Sequence, residues 1–437
     1  MNMNFVDLII KKRDNKTLTS EEINYFVKCA SDNNFPDYQI SAMLMAIYLN
    51  GLNNKETSDL TMAMAKSGKI LNLSEISGIK VDKHSTGGVA DTTTLVLVPL
   101  AASCGLPVVK MSGKGLGHTG GTVDKLESIP GFNTEISEET AINLAKKNKI
   151  VIMGQSEELA PADKRLYAMR DVTGTVESIP LIASSIMSKK IASGCDALVL
   201  DIKCGNGSFM KDLPSAEELA ETMLKIGKSV NKKVIAVITD MNEPLGKNIG
   251  NSLEVIEAIE ILKGNTEGKL KEVSLELGSL MLVLGDICKT KEEARKRLEE
   301  NIKNKNGLEK FRELIISQKG NPEIINDYSL LPKANFKKEL ISEFSGYISV
   351  TDARNIGKAA CETGAGRKTK ADKIDYGAGI ILKFSSGDKI EKGGILAEIY
   401  ASSAEKCENA EEILKNCIKI SETPPKPKKT ILKIIGG

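Results

Sequence analysis

Tryptophan is absent from this 437-residue chain, histidine occurs twice, and aromatic residues make up only 4 % of it. So few π-faces argue against the stacking platforms that hold single-stranded nucleic acid. Charge of either sign is not in excess: 60 Lys and Arg stand against 58 Asp and Glu. Neither a nucleic-acid footprint nor binding to a membrane surface is therefore expected, and any anion site has to be local. The eight cysteines are scattered without a Cys-x-x-Cys pair. With so few histidines this argues against zinc, and the cysteines read as reduced thiols of a cytoplasmic protein. No apolar run approaches membrane-spanning length, and the amphipathic start, with Asp7 inside it, does not read as a signal peptide. The length suits two or three domains with a sizeable core.

What the chain does have is glycine in two loops. One is Lys83-His84-Ser85-Thr86-Gly87-Gly88. The other follows Val108-Val109-Lys110-Met111-Ser112 and carries Gly113, Gly115, Gly117, Gly120 and Gly121 before Thr122. Glycines let backbone N–H groups approach an anion, and the lysines and hydroxyls beside them supply charge and donors. A single such loop is as readily a turn; two of them, each with Lys and Ser, point to a phosphate site. Gly115-x-Gly117-x-x-Gly120 also matches the dinucleotide fingerprint. The acid expected about twenty residues on, at the end of the next strand, is missing.

Residues 1 to about 75 read as helices, with capping boxes at Thr19-x-x-Glu22 and Asn53-x-x-Glu56. From residue 79 short strands, predicted at 79–82, 107–111, 150–153, 197–203 and 234–239, alternate with helices, one of them after a capping box at Ser215-x-x-Glu218. Such alternation implies a parallel sheet whose strand-end loops share one ligand-binding edge. Residues 155–193 interrupt the alternation with two helices, read as a return to the first domain. The division expected is a helical domain (1–75 and 155–193), an α/β domain (76–154 and 194–335) and a C-terminal α+β domain (343–420). A Pro/Lys-rich tail (421–437) is expected to be flexible. Residues 346–350 and 387–400 look like hairpins, the second resembling a carrier-domain turn without its modified lysine.

His84 sits between Lys83 and Ser85 at a predicted strand end, which favours contact with substrate. His118 lies within the longer loop and either braces it or meets the ligand. Ser185 and Lys189 are four apart on a predicted helix and share a face. Arg170 ends the preceding helix. Phosphate on one side and a polar leaving group on the other is the reading these residues support.

These blocks, together with Ser185-Ile186-Met187-Ser188-Lys189-Lys190, resemble the pyrimidine-nucleoside phosphorylases along nearly the whole chain to about residue 420. The resemblance implies an all-helical domain facing a mixed, largely parallel α/β domain across a cleft, a small C-terminal α+β domain, and a homodimer formed through the helical domain. It implies reversible phosphorolysis of uridine, deoxyuridine or thymidine, with pyrimidine nucleoside and inorganic phosphate as partners and no organic cofactor. By the same resemblance Lys83, Ser85, Thr94, Lys110, Ser112 and Thr122 hold phosphate. His84, Arg170, Ser185 and Lys189 surround the pyrimidine, with His84, Arg170 and Lys189 catalytic. Ala90, Thr92, Leu245, Asn248 and Glu257 stand where relatives bind potassium. Lys114 replaces a usual Arg, Ala90 a usual Gly and Gly174 a usual Ala. Phosphate would attack C1′ with inversion as negative charge develops on the departing base. Closure of the cleft would exclude water.

Competing readings are a thymidine phosphorylase restricted to deoxynucleosides, a phosphoribosyltransferase, a nicotinamide oxidoreductase and a carrier module. The phosphoribosyltransferase lacks an acidic pair for magnesium. The oxidoreductase lacks the ribose acid, and the carrier lacks its lysine motif.

Overall fold

The computed structural model describes residues 3–115, 120–156, 158–350, 352–369 and 371–436. Four helices come first: α1 (Phe5–Arg13), α2 (Ser20–Ser31), α3 (Asp37–Asn50) and α4 (Asn54–Ala65). Both expected capping boxes form at the starts of α2 and α4, with Glu22 and Glu56 returning to the N–H of Thr19 and Asn53 at 2.6 and 2.8 Å.

The next elements alternate: β1 (Val81–Ser85), α5 (Thr93–Ser103), β2 (Val108–Ser112), α6 (Thr122–Glu127), α7 (Glu138–Asn148) and β3 (Ile150–Gly154). Two helices then interrupt, α8 (Pro161–Thr173) and α9 (Ile179–Ala192). Helix α8 packs on α2 and α3, and Ala162, Leu166 and Leu181 join the core of the first helices beside Phe26, Leu44 and Leu60. Helix α9 packs on α4, and its Ala183, Met187 and Ile191 belong to a core shared with the strands that follow.

Those strands and helices are β4 (Ala197–Cys204), α10 (Leu213–Ser229), β5 (Lys233–Asp240), β6 (Asn248–Ile249), α11 (Asn251–Leu262), α12 (Lys269–Leu284), α13 (Lys291–Lys303) and α14 (Asn306–Ser317). β1, β4 and β5 pair in parallel, and β4, buried at every position, is central. It is covered on both faces, as parallel sheets are. Strands β2 and β3 form a parallel pair of their own. Between β1 and β2 a side chain does the joining: Lys190 donates to Asp82 at 2.7 Å and to the Met111 carbonyl at 3.4 Å. Helix α5 is apolar all round and is buried against α12 and α14.

The last part contains β7 (Phe336–Ile341), β8 (Gly346–Val350), α15 (Ala353–Ala360), β9 (Gly379–Leu382), β10 (Lys389–Ile390), β11 (Ile395–Ala401), α16 (Ala404–Lys415), β12 (Ile418–Ser421) and β13 (Ile431–Ile435). The order β6-β9-β11-β7 makes one sheet and β10-β8-β12 another.

Four expectations need correction. First, the tail is not wholly a flexible linker: after the prolines, β13 pairs antiparallel with β5, Ile431 opposite Thr239 and Ile435 opposite Ala236. The outer edge of β5 offers unpaired N–H and C=O groups, and the β-branched tail run satisfies them. Second, residues 387–400 do not close a hairpin. A corner at Glu391–Gly394, with Gly393 at φ 86°, sends β10 to pair with β8 and β11 to pair with β7 and β9. Third, α10 starts earlier than its expected cap. Asp212 accepts the Ser215 N–H at 2.8 Å, and Pro214 occupies the first turn, where its missing N–H costs nothing. Fourth, β1 runs to Ser85 instead of ending at residue 82. Lys83 and Ser85 therefore lie on one face of a strand and His84 on the other.

Candidate active site

A cavity of about 890 Å³ opens at the carboxyl ends of β1 and β2. It is lined by Lys83–Gly88, Thr94, Lys110–Gly115 and Gly120–Thr122 on one side, and by Tyr167, Arg170 and Lys189 on the other. An adjoining pocket of about 200 Å³ shares Val176 and Phe209 with it and adds Ile182, Ser185, Ile186 and Leu219. The residues expected to hold phosphate and those expected to surround the pyrimidine thus border one space. His118, and Gly117 of the fingerprint, lie outside the described residues.

The strand ends determine how the phosphate side is charged. Lys83 is 1 % exposed; its ammonium donates to Thr93 Oγ1 at 2.5 Å and stands 3.5 Å from Asp201. Ser85 Oγ donates to Asp91 at 2.5 Å, and Asp91 also accepts from Thr93 Oγ1 at 2.6 Å. Burial opposes ionisation of Asp91, but Lys203, Lys83 and the Ser85 and Thr93 hydroxyls outweigh it and hold the carboxyl well below its ordinary range. Lys203 pairs with Asp201 at 2.8 Å, and Lys125 with Glu254 at 2.6 Å. Behind the loops, then, Lys83, Lys203 and Lys125 are matched by Asp91, Asp201 and Glu254.

The other face is not balanced in this way. Lys110 and Lys190 share the single carboxylate of Asp82, at 3.6 and 2.7 Å. Lys110 borders the cavity, and burial together with Lys190 and Lys83 lowers its pKa against the pull of Asp82. With two lysines on one carboxylate and Lys110 lowered to about 7, the cluster is poised to take its full positive charge when an anion enters the cavity. Ser112 and Thr122 border the same space, Thr122 in the first turn of α6.

His84 is held neutral. Burial, then Lys190, Lys110, Lys189 and Lys83, push its pKa well below the ordinary histidine value. Across the cavity, Lys189 donates to Ser185 Oγ at 2.8 Å, as their shared helix face leads one to expect, and pairs with buried Asp163 of α8. Arg170 gives three N–H bonds to the carbonyls of Thr175, Leu181 and Val176, at 3.1, 3.2 and 2.5 Å. Its guanidinium lies 5.7 Å from the centre of the Tyr167 ring. The fork is thus fixed by the turn between α8 and α9 while still bordering the cavity.

The residues expected near a cation are gathered elsewhere, below the first glycine loop. The Ala90 carbonyl accepts the Gly246 N–H at 3.2 Å, and Leu245 N–H donates to the Val89 carbonyl at 3.1 Å. Glu257 accepts the N–H groups of Lys247 and Asn248 at 2.8 and 2.9 Å. Thr92 donates its hydroxyl to Glu254 at 2.5 Å. Ala90 has φ 53°, the left-handed region where glycine is favoured, so the departure from glycine is accommodated at a cost in strain. Burial pushes the Glu257 carboxyl up to about 7.

Sequence reasoning missed Asp91, Asp163, Tyr167, Phe209 and Arg354, all of which pair with or line the site. Asp91, opening the polar run before the apolar α5, carried a readable signal. Asp163 did not: an acid in a first helical turn looks like a dipole partner, and its lysine lies on another helix. Nothing local marks Phe209 or Arg354.

Three family models match the chain: "Glycosyl transferase family, helical bundle domain" over residues 6–68, "Glycosyl transferase family, a/b domain" over 77–308, and "Pyrimidine nucleoside phosphorylase C-terminal domain" over 347–421. The chain is 52 % identical over 422 residues to the pyrimidine-nucleoside phosphorylase of Geobacillus stearothermophilus, covering 97 % of each. It is 53 % identical over 412 residues to that of Bacillus subtilis (strain 168), covering 94 % of each. Among solved structures, an anthranilate phosphoribosyltransferase from Thermus thermophilus superposes with a TM-score of 0.60 at 16 % identity, over 71 % of this chain and 99 % of that one. This last likeness is one of fold.

Proposed function

The chain belongs to the pyrimidine-nucleoside phosphorylase family, and from that premise we infer that it cleaves uridine, deoxyuridine or thymidine with inorganic phosphate, reversibly, to the free base and the pentose 1-phosphate. The observation that carries this reading is one cavity bordered by both glycine loops and by Arg170 and Lys189.

In the mechanism proposed, phosphate lies against Lys110, Ser112, Thr122, Ser85 and Thr94, and Lys110 takes its full charge beside the anion. Lys83 borders the same cavity and also fixes Asp91, the acceptor of the Ser85 hydroxyl. Phosphate is already anionic and needs no strong base. As the bond from C1′ to the base breaks, charge moves onto the pyrimidine, where Arg170 and Lys189 stabilise it and Ser185 holds Lys189 in place. His84, kept neutral, offers a hydrogen bond to the ring instead of a full proton. Approach of the two walls brings the groups together and excludes water.

A potassium ion at Ala90, Thr92, Leu245, Asn248 and Glu257 belongs to the same proposal. It is supported by the closeness of Ala90 and Leu245 to the backbone that Glu257 holds, and by this buried carboxyl, whose ionised form gains from a cation. A homodimer through the helical part is supported by exposed Val6 and Ile10 of α1 and Tyr38, Met45, Tyr48 and Leu49 of α3. Among the described residues no helix is long and apolar enough to cross a membrane. A cytoplasmic location is proposed because none of the eight cysteines, all of them among the described residues, is in a disulfide, and seven are buried.

The test is release of uracil from uridine and of thymine from thymidine, each with and without phosphate. Phosphate-dependent release is expected, and the two rates together read the sugar and base range. Equal release without phosphate would mean a hydrolase and end the proposal.

A further inference from the structure

Gly115 of the second glycine loop is held from both sides. Its N–H donates to Asp124 Oδ2 at 2.6 Å, and its carbonyl accepts from Arg367 Nη1 at 3.2 Å. Arg367 Nη2 also donates to Asp124 Oδ1 at 2.8 Å, which closes a three-membered knot of backbone, carboxylate and guanidinium. Asp124 is 1 % exposed, and the Arg367 side chain 13 %. The knot is tight: a Cβ on Gly121 would lie 2.2 Å from the Gly115 nitrogen and 2.7 Å from Asp124 Oδ2. Gly115, Gly121 and Thr122 all border the cavity.

Arg367 comes from the region matched by the C-terminal domain model, whereas Gly115 and Asp124 lie in the region matched by the a/b domain model. The arm that carries it is stiff. Asn251 donates to the Ala365 carbonyl at 2.9 Å, and Asp375 N–H donates to the Gly364 carbonyl at 3.0 Å. Asp372 accepts the N–H groups of Lys368 and Thr369, both at 2.9 Å. Further along, the Tyr376 hydroxyl donates to Glu127 at 3.2 Å, so the arm grips both ends of the short α6.

We propose that Arg367 is a positioning residue for phosphate: the C-terminal domain, through this one guanidinium, holds Gly115 and, through Asp124, the start of α6 in the arrangement that receives the anion. The inference rests on the phosphorolysis reading for its kinetic form. A glycine-rich backbone is costly to order. Two charge-assisted bonds at Gly115 meet that cost before phosphate arrives, so the anion meets donors already in place. Arginine suits the task because its planar fork reaches the carbonyl and the carboxylate with two separate nitrogens held at a fixed spacing. The role is distinct from docking the domain, which the rest of the arm and the β6–β9 pairing also serve.

The experiment compares full-length wild type, Arg367→Ala, Arg367→Lys and Tyr376→Phe by steady-state kinetics, calorimetric titration with inorganic phosphate, and thermal melting. Arg367→Ala is expected to raise the KM and Kd for phosphate about tenfold, the lower end of the loss for a charge-assisted contact, with the nucleoside KM at saturating phosphate unchanged. Arg367→Lys recovers part of the loss, and it carries the test if Arg367→Ala does not fold. Tyr376→Phe, which removes an arm contact without touching Gly115, lowers the melting temperature with no change in phosphate affinity. If Arg367→Ala and Arg367→Lys behave like Tyr376→Phe, Arg367 only docks the domain and the proposal is overturned. If wild type binds phosphate but releases no base, the phosphorylase reading fails and the titrations alone decide the role of Arg367. If wild type binds no phosphate, both are overturned.

Discussion

Lys189 of α9 and Asp163 of α8 form an ion pair in which the acid is 5 % exposed at its side chain and the lysine 22 %. The ammonium assigned to the departing base is thus already partnered from a neighbouring helix. Removing it leaves a carboxylate stranded. Lys189→Ala should lower turnover strongly and also destabilise the fold by about 2 kcal/mol, less than for a fully buried pair because the lysine reaches solvent. Adding Asp163→Asn should restore the melting temperature and leave turnover low. Recovery of turnover in the double variant would remove Lys189 from the chemistry.

Ser112 and Lys83 were both read as phosphate contacts, yet their surroundings differ. Ser112 borders the cavity at the end of β2. Ser112→Ala should raise the phosphate KM about tenfold with an unchanged melting temperature. Lys83 is buried against Asp201, Asp91 and Thr93. Lys83→Ala leaves buried Asp91 and Asp201 with only Lys203 between them, so a stability loss of about 3–5 kcal/mol should accompany any kinetic loss. Denaturant unfolding of the two variants checks the contrast.

The depressed pKa of His84 sets a sign for acid behaviour. Below the ordinary value of about 6.5 the unfolded chain takes up a proton that the folded His84 does not. Stability contributed by the neutral histidine is therefore present above that pH and lost as pH falls, by up to about 1.4 kcal/mol per pH unit. His84→Asn should flatten the stability profile between about pH 5 and 7. The wild-type pH–rate profile should show no inflection near the ordinary histidine value from this residue; one that vanishes in His84→Asn would show that His84 titrates there and overturn its neutral role.

The raised pKa of Glu257, about 7, makes a cation effect depend on pH. Protons compete with a cation for this carboxyl. Potassium should raise the melting temperature more at about pH 8 than at about pH 6, relative to choline at equal ionic strength. Glu257→Gln should abolish the difference. An equal effect of both salts in wild type would remove the proposed cation site.

Much of this molecule was legible in its sequence. The two glycine loops, whose described residues border one cavity, could be picked out because their chemistry is local: glycine, lysine and serine act through neighbouring backbone. Ser185 and Lys189 meet because helix geometry places residues four apart on one face. The strands buried on both faces show as apolar runs between turns, and the caps of α2 and α4 are spelled out three residues apart.

Tertiary structure decided what depends on distance through space. Lys83 looks like a loop cation, but extension of β1 turns it inward to Asp201, while His84 on the opposite face loses its proton to burial among four lysines. The Lys110 pKa falls to about 7 only because it is buried and because Lys190, far along the chain, shares its carboxylate. The tail becomes a strand only because β5 has an edge to fill. Arg367 reaches Gly115 only because the C-terminal domain docks there. Coulomb pairing, desolvation and strand-edge completion depend on which surfaces meet, and residue order alone does not specify that.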